Sequence, residues 1–217
     1  MIKGAIFDVD GTLLDSMEIW EDAGARYLRR IGKDPEEGLN KVLYPMTMAE
    51  GAEYVKERYH LSSALDEIIR GVLDTVRDYY FYEAPVKTGV KAFLAGMKER
   101  GIPMAAATAS DRKHIEAAFK RLGIDGYFGK IFTCAEVGAG KRSPLIYERA
   151  AKYLNAKPTE IVVFEDALYA LMTAKRAGFH TVGVYDRFSA EQTAEMKRQA
   201  DIYVKELLEV DRFLSLS

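Results

Sequence analysis

A single cysteine, Cys134, excludes any internal disulfide, and the chain is expected in a reducing cytoplasm. The three histidines, His60, His114 and His180, stand far apart, without the spacing of a histidine-ligated metal. An excess of one charge is also missing. The 31 basic and 33 acidic residues give a formal net charge of -2, which argues against a nucleic-acid partner. Long apolar runs are absent. Stretches such as Met104–Ala107 and Ile161–Phe164 are far too short to cross a bilayer, so no membrane partner is expected. The N-terminal Met1–Phe7 enters an apolar strand at once, without the h-region of a cleavable leader. Neither an internal repeat nor a low-complexity tract stands out.

What is present is an ordinary globular mix: 217 residues, 48% apolar and 29% charged. That length fits one large domain, or a core with a smaller insertion, and can bury a proper core. A monomer is expected. Short apolar runs recur at Ala5–Val9, Pro103–Ala107, Ile131–Thr133, Ile161–Phe164, Thr181–Tyr185 and Ile202–Val204. Most are continuous rather than alternating, the pattern of parallel strands covered on both faces. Between them Arg112–Leu122, Ser143–Leu154 and Ala167–Ala177 carry helical periodicity. The alternation predicts an α/β fold, a doubly wound and mostly parallel sheet.

One region breaks the rhythm. From residue 15 to 83 only helical pattern is found. Asp15 or Ser16 can cap a helix running to Arg30, ended by Ile31-Gly32. Thr47 and Glu50 have capping-box spacing. Leu65, Ile68, Ile69, Val72, Leu73, Val76 and Tyr79 form one apolar stripe. The expected division is a core of residues 1–14 and 84–217, with a helical insertion over residues 15–83. Leu13–Asp15 and Tyr82–Pro85 would join the two and serve as hinges for closure.

Functional groups in open α/β sheets gather beyond the carboxyl ends of the strands. The first predicted strand ends Asp8-Val-Asp10-Gly-Thr12. Acids two apart start out on one side of a strand. Buried together without a partner they would resist ionisation, and a hard divalent cation resolves this; oxygen-only ligands suit magnesium. The plainer reading is a strand followed by an Asp-Gly turn. The second strand leads into Thr108-Ala109-Ser110, where a hydroxyl and backbone N–H groups at a helix start could cradle a phosphate; Ser110 could equally be an N-cap. After the third strand, Lys141 sits before Ser143-Pro144, an N-cap and first-turn proline. It could reach an anion or be an ordinary surface lysine. The fourth strand ends in Glu165-Asp166, which could share a cation with Asp8 and Asp10 or serve as helix-start acids.

These four strand ends, in this order, resemble the motifs of the haloacid dehalogenase-like hydrolase superfamily. The helical insertion resembles the cap of its β-phosphoglucomutase-like and phosphoglycolate-phosphatase-like branch. The resemblance implies that Asp8 attacks phosphorus and becomes an aspartyl phosphate. Asp10 would protonate the leaving oxygen and then activate water. It further implies Mg2+ as cofactor, held by Asp8, the Asp10 backbone carbonyl, Asp166, and Glu165 as ligand or orienter. Thr108, Ala109, Ser110 and Lys141 would hold the phosphoryl oxygens. The chain departs from the branch pattern at Arg142, where the lysine motif usually reads Lys-Pro-x-Pro, and at Ala167, where a serine is usual.

The expected substrate is a small phosphomonoester, such as a sugar phosphate. β-Phosphoglucomutases carry a histidine near the start of the first cap helix, where this chain has Trp20, a candidate substrate contact. That favours hydrolysis over the alternative, a phosphosugar mutase. Glu18, Arg26 and Tyr44 are further possible cap contacts. Asp10 argues against a 2-haloacid dehalogenase, whose relatives lack it. A receiver-like or catalytically inactive binding module is the alternative of another class, and the retention of Asp8, Asp10, Lys141 and Asp166 argues against it.

Overall fold

Strand β1 is the short segment Gly4–Phe7, every residue of it buried. It pairs in parallel with β2 (Met104–Thr108) on one side and β4 (Ile161–Glu165) on the other. The computed structural model describes residues 1–43 and 45–216. With β3 (Phe128–Thr133), β5 (His180–Val184) and β6 (Ile202–Val204), these strands form one six-stranded sheet, ordered β3-β2-β1-β4-β5-β6. All its pairings are parallel. The doubly wound prediction is met, with strand ends shifted by at most three residues. Val9, for example, lies beyond β1, because pairing stops at Phe7.

The described residues divide into two compact units, Met1–Ser16 with Ala84–Ser217, and Met17–Glu83. In the sheet unit, helices α5 (Val90–Glu99), α6 (Arg112–Leu122), α7 (Cys134–Val137), α8 (Leu145–Tyr153), α9 (Leu168–Arg176), α10 (Thr193–Gln199) and α11 (Val210–Leu214) accompany the strands. Successive strand residues point to opposite faces, so β1 serves two cores. Ile6 packs with Ala105, Ala107, Val163, Ile146 and Tyr147. Phe7 stacks on Phe164, with ring centroids 4.4 Å apart, and meets Phe93 edge-on at 6.2 Å. Phe213 closes that aromatic group. Each such ring contributes about 1.5–3 kcal/mol by leaving water. The group also fixes the register Phe7↔Phe164, which sets the next residues, Asp8 and Glu165, side by side.

The helical unit holds α1 (Glu18–Arg30), α2 (Leu39–Leu43), α3 (Met48–Arg58) and α4 (Leu65–Asp78), the last continuing into a π turn over Tyr79–Glu83. The capping box at α3 forms as predicted: Thr47 accepts from the Glu50 N–H, and Glu50 accepts from the Thr47 N–H. α1 ends at Ile31, and Gly32 follows at φ 74°, where a residue without Cβ is favoured. Two details differ from expectation. Neither Asp15 nor Ser16 caps α1; Met17 holds that position without a side-chain bond. Leu73, placed in the apolar stripe of α4, is 48% exposed, because the buried face runs through Ile68, Val72, Thr75 and Val76. No helix among the described residues is long and apolar enough to cross a membrane.

Candidate active site

The chain turns sharply where β1 ends. Gly11 adopts φ +83°, and a Cβ there would fall 2.4 Å from Asp166 Oδ2. Only glycine lets this turn approach the end of β4 so closely. The neighbouring Thr12 is fully buried, and its hydroxyl reaches Asp166 Oδ1 at 3.5 Å.

Asp8, Glu165 and Asp166 are all buried, and each offers a carboxylate oxygen within 4.8 Å of the others. Lys141, itself buried, donates to Asp8 and to Glu165 Oε1, the latter at 2.7 Å. Tyr147 on α8 also donates to Glu165 Oε1, at 2.7 Å. Burial is the main force raising the Asp8 carboxyl above its usual range, opposed by Lys141 and aided by Asp10. The same desolvation, with the Asp8 charge beside it, pushes Glu165 up to about 7. Asp166 is raised well above the ordinary aspartate range by burial and then by Asp8 and Glu165. Burial alone would pull Lys141 down, but Asp8 and Glu165 outweigh it and hold the ammonium above its ordinary value.

Three carboxylates facing one ammonium leave two negative charges unmatched when all are ionised. Glu165 Oε2 is buried and has no hydrogen-bond partner among the described residues. A buried acceptor of this kind is costly unless something occupies it. A divalent cation fits both observations, and the oxygen-only donor set suits a hard ion such as Mg2+.

Asp10 stands apart from this trio. Its Oδ1 accepts from the Ser16 hydroxyl at 2.6 Å. Its Oδ2 accepts from the Ser110 hydroxyl at 2.6 Å and from Thr108 at 3.4 Å. The expectation that the Asp8 and Asp10 side chains share one cation is therefore revised. Asp8 still bonds β4, its N–H donating to the Phe164 carbonyl at 3.0 Å, whereas Asp10 lies beyond the paired residues of β1, at the start of the Gly11 turn, where strand alternation no longer applies. Ser110 is also not the N-cap. Asp111 caps α6, accepting from the Lys113 N–H at 2.8 Å. The Ser110 N–H instead donates to Thr108 Oγ1 at 3.0 Å. Ala109, between them, is exposed. Helix α8 begins at Leu145, just after the predicted Ser143-Pro144 start, and Ser143 Oγ accepts from the Leu145 N–H.

Asp8, Lys141, Glu165 and Asp166 thus form one cluster at the carboxyl edge of the sheet, and Asp10 with Thr108 and Ser110 forms a second, near enough for the Asp10 charge to act on Asp8. Trp20 lies on α1 in the helical unit and is 46% exposed. Glu18 and Arg26 bond to each other, and Arg26 also holds Asp22 and Glu83. Tyr44 lies outside the described residues. Sequence reasoning passed over Tyr147 and the part played by Ser16. Tyr147 sits in the apolar stripe of α8 and reads as core, while Ser16 reads as a cap.

Comparison with known proteins agrees with this geometry. The haloacid dehalogenase-like hydrolase family matches residues 2–178. A validoxylamine A 7'-phosphate phosphatase of Streptomyces hygroscopicus subsp. limoneus is 31% identical, over 97% of this chain and 96% of its own. A phosphorylated carbohydrates phosphatase of Thermotoga maritima is 26% identical, over 83% of this chain and 84% of its own. A Thermotoga maritima crystal structure, assigned provisionally as a β-phosphoglucomutase, superposes with a TM-score of 0.83 at 26% identity, covering 97% of this chain and 99% of that one. A match of this extent, over a sheet whose strand ends bring the acids and the lysine together, establishes that the chain belongs to the haloacid dehalogenase-like hydrolase family.

Proposed function

We propose that this hydrolase removes phosphate from a small phosphomonoester, a sugar phosphate or similar metabolite, in a Mg2+-dependent reaction through an aspartyl phosphate on Asp8. The observation that carries the reading is the trio Asp8, Glu165 and Asp166 closed by Lys141, with the orphaned Glu165 Oε2 inside it. Asp8, Asp166, Glu165 and the Asp10 carbonyl would hold the cation. When bound, Mg2+ offsets charge on the phosphoryl oxygens and on the trio.

The rest falls to the protein's own groups. The Asp8 carboxylate attacks phosphorus, and the bond to the leaving oxygen breaks. Lys141 supplies positive charge beside Asp8, and Thr108 with the backbone of Ala109 and Ser110 binds phosphoryl oxygens. Asp10, held by Ser16, Ser110 and Thr108 rather than by Lys141, gives a proton to the leaving oxygen. It later takes one from the water that hydrolyses the aspartyl phosphate. Trp20, where mutases carry histidine, favours water as acceptor over a phosphosugar. The relatives named for validoxylamine A 7'-phosphate and for phosphorylated carbohydrates point to a polyhydroxylated leaving group. The helical unit is assigned the role of cap, with Trp20 as its contact to that group.

A panel of sugar phosphates, phosphoglycolate, nucleotides and p-nitrophenyl phosphate tests this. Mg2+-dependent phosphate release that stops with EDTA is expected, with sugar phosphates preferred. Absence of turnover on every member, with metal binding demonstrated, would overturn the reading. Trp20→Ala should raise KM for a sugar phosphate by about tenfold while leaving p-nitrophenyl phosphate within about twofold. Equal effects on both substrates would remove Trp20 from the substrate site.

A further inference from the structure

The Asp-Gly turn that carries the acids is held from behind by a residue the reaction scheme does not use. Lys87 Nζ donates to the Gly11 carbonyl at 2.6 Å, to the Tyr185 carbonyl at 2.5 Å and to Asp186 Oδ2 at 3.0 Å. An ammonium has three N–H donors, and these contacts engage all of them. The lysine side chain is 16% exposed and that of Asp186 2%. Asp186 is fixed in turn, because its Oδ1 accepts from the Phe188 N–H at 2.9 Å. The Lys87 backbone is anchored to the same turn, its N–H donating to the Leu13 carbonyl at 2.9 Å.

Gly11 lies between Asp10 and Thr12, the one bonded to Ser110 and the other touching Asp166. Its left-handed backbone has no side chain to secure it. Two of the Lys87 acceptors are main-chain carbonyls, one in this turn and one just past β5. A charged donor to a carbonyl in a partly buried site is among the stronger hydrogen bonds. The contact therefore ties the turn to the segment that follows β5, two strands away along the same edge of the sheet.

We propose that Lys87, oriented by Asp186, is a positioning residue that fixes the Asp8–Thr12 turn, and through it the direction of the Asp10 carboxylate and the spacing of Asp8 from Asp166. This rests on the phosphohydrolase reading for its catalytic consequence, but the anchoring itself does not.

The test compares wild type with Lys87→Met, Lys87→Gln and Asp186→Asn in two assays. The first is amide hydrogen exchange on the metal-free full chain. Exchange in a peptide covering residues 8–14 should quicken by about tenfold in Lys87→Met, with peptides from β3 and α6 unchanged. The second is turnover of p-nitrophenyl phosphate with Mg2+. The Lys87→Met kcat should fall by about 30- to 100-fold, with KM within about threefold and the Mg2+ concentration for half-activity raised. Lys87→Gln, which can still reach one carbonyl, should fall between, and it serves if Lys87→Met does not fold. Asp186→Asn should lose less than either, because the carbonyl contacts remain. Unchanged exchange over residues 8–14 in a folded Lys87 variant overturns the proposal, whatever the activity. A kcat equal to wild type at saturating Mg2+ overturns its catalytic part. A wild type inert toward all phosphomonoesters removes the functional reading, while the exchange data still decide the anchoring.

Discussion

Lys141 and Arg26 each face more than one carboxylate, in settings that differ sharply. The Lys141 side chain is 4% exposed, and those of Asp8 and Glu165 are 7% and 1%. Arg26, in the helical unit, is a quarter exposed, and Glu18, Asp22 and Glu83 around it are wetter still. Exposed pairs of the second kind are screened and contribute about 0–1 kcal/mol each. Buried clusters of the first kind have a desolvation penalty that can exceed their attraction. The helical unit thus places charge where it costs little. The sheet edge concentrates charge where it is costly, which marks it as a place kept for chemistry rather than for stability.

The sharpest way to break this contrast is Asp8→Asn. It should lower kcat by about 10^4-fold or more while leaving a folded chain, as steady-state kinetics and circular dichroism would register. Activity close to wild type would mean that another group attacks phosphorus. Next in size is Lys141→Met, which strands Asp8 and Glu165 without their ammonium. Urea unfolding in EDTA should show a loss of about 3–5 kcal/mol, and a loss below about 1 kcal/mol would place Lys141 with the surface cations.

Acidity sharpens the comparison further. The folded chain raises the carboxyls of Asp8, Glu165 and Asp166, so without metal it binds their protons more tightly than the unfolded chain does. Stability from this source is full below the unfolded values and is lost as pH climbs through the folded ones, Glu165 at about 7. The surface acids Glu50, Glu136 and Asp211 are lowered instead, and their contribution is lost only as pH falls through those lower values. In EDTA the melting temperature should therefore drop between about pH 5.5 and about pH 7.5, and saturating Mg2+ should abolish the drop. A flat profile in EDTA would mean the trio is not desolvated. The smallest effect belongs to Arg70→Ala in α4, which removes an exposed pair with Asp66. Chemical denaturation should show a change of no more than about 0.5 kcal/mol; several times that would contradict the screening argument.

The parts of the fold that could be read in advance are those written in local pattern. Continuous apolar runs located all six strands, and the Thr47–Glu50 spacing located a capping box that forms. The strand-end acids were legible because charge directly after a buried strand demands an explanation; Lys141, beyond both β3 and α7, reads alone as a surface lysine and stood out only through the family resemblance. Ser16, Ser110 and Tyr147 were not. Each has an ordinary local role open to it, as cap or core, and only the tertiary approach of distant segments redirects its hydroxyl to a carboxylate. Leu73 failed for the converse reason: periodicity names a face, but neighbours decide how wide the buried part of it is. Lys87 was invisible because a lysine after a connecting segment carries no pattern at all.

The register between β1 and β4 bears on when this protein can first act. Thr12 and Asp166, which meet across it, lie 154 positions apart in the chain. During synthesis Asp8 leaves the ribosome long before the strand that aligns it with Glu165 and Asp166. A partly made chain therefore exposes Asp8 as an isolated, well-hydrated carboxylate, without Lys141 beside it. The acidic trio closes only when β4 slots in next to β1, so the candidate site cannot assemble before that late strand is made.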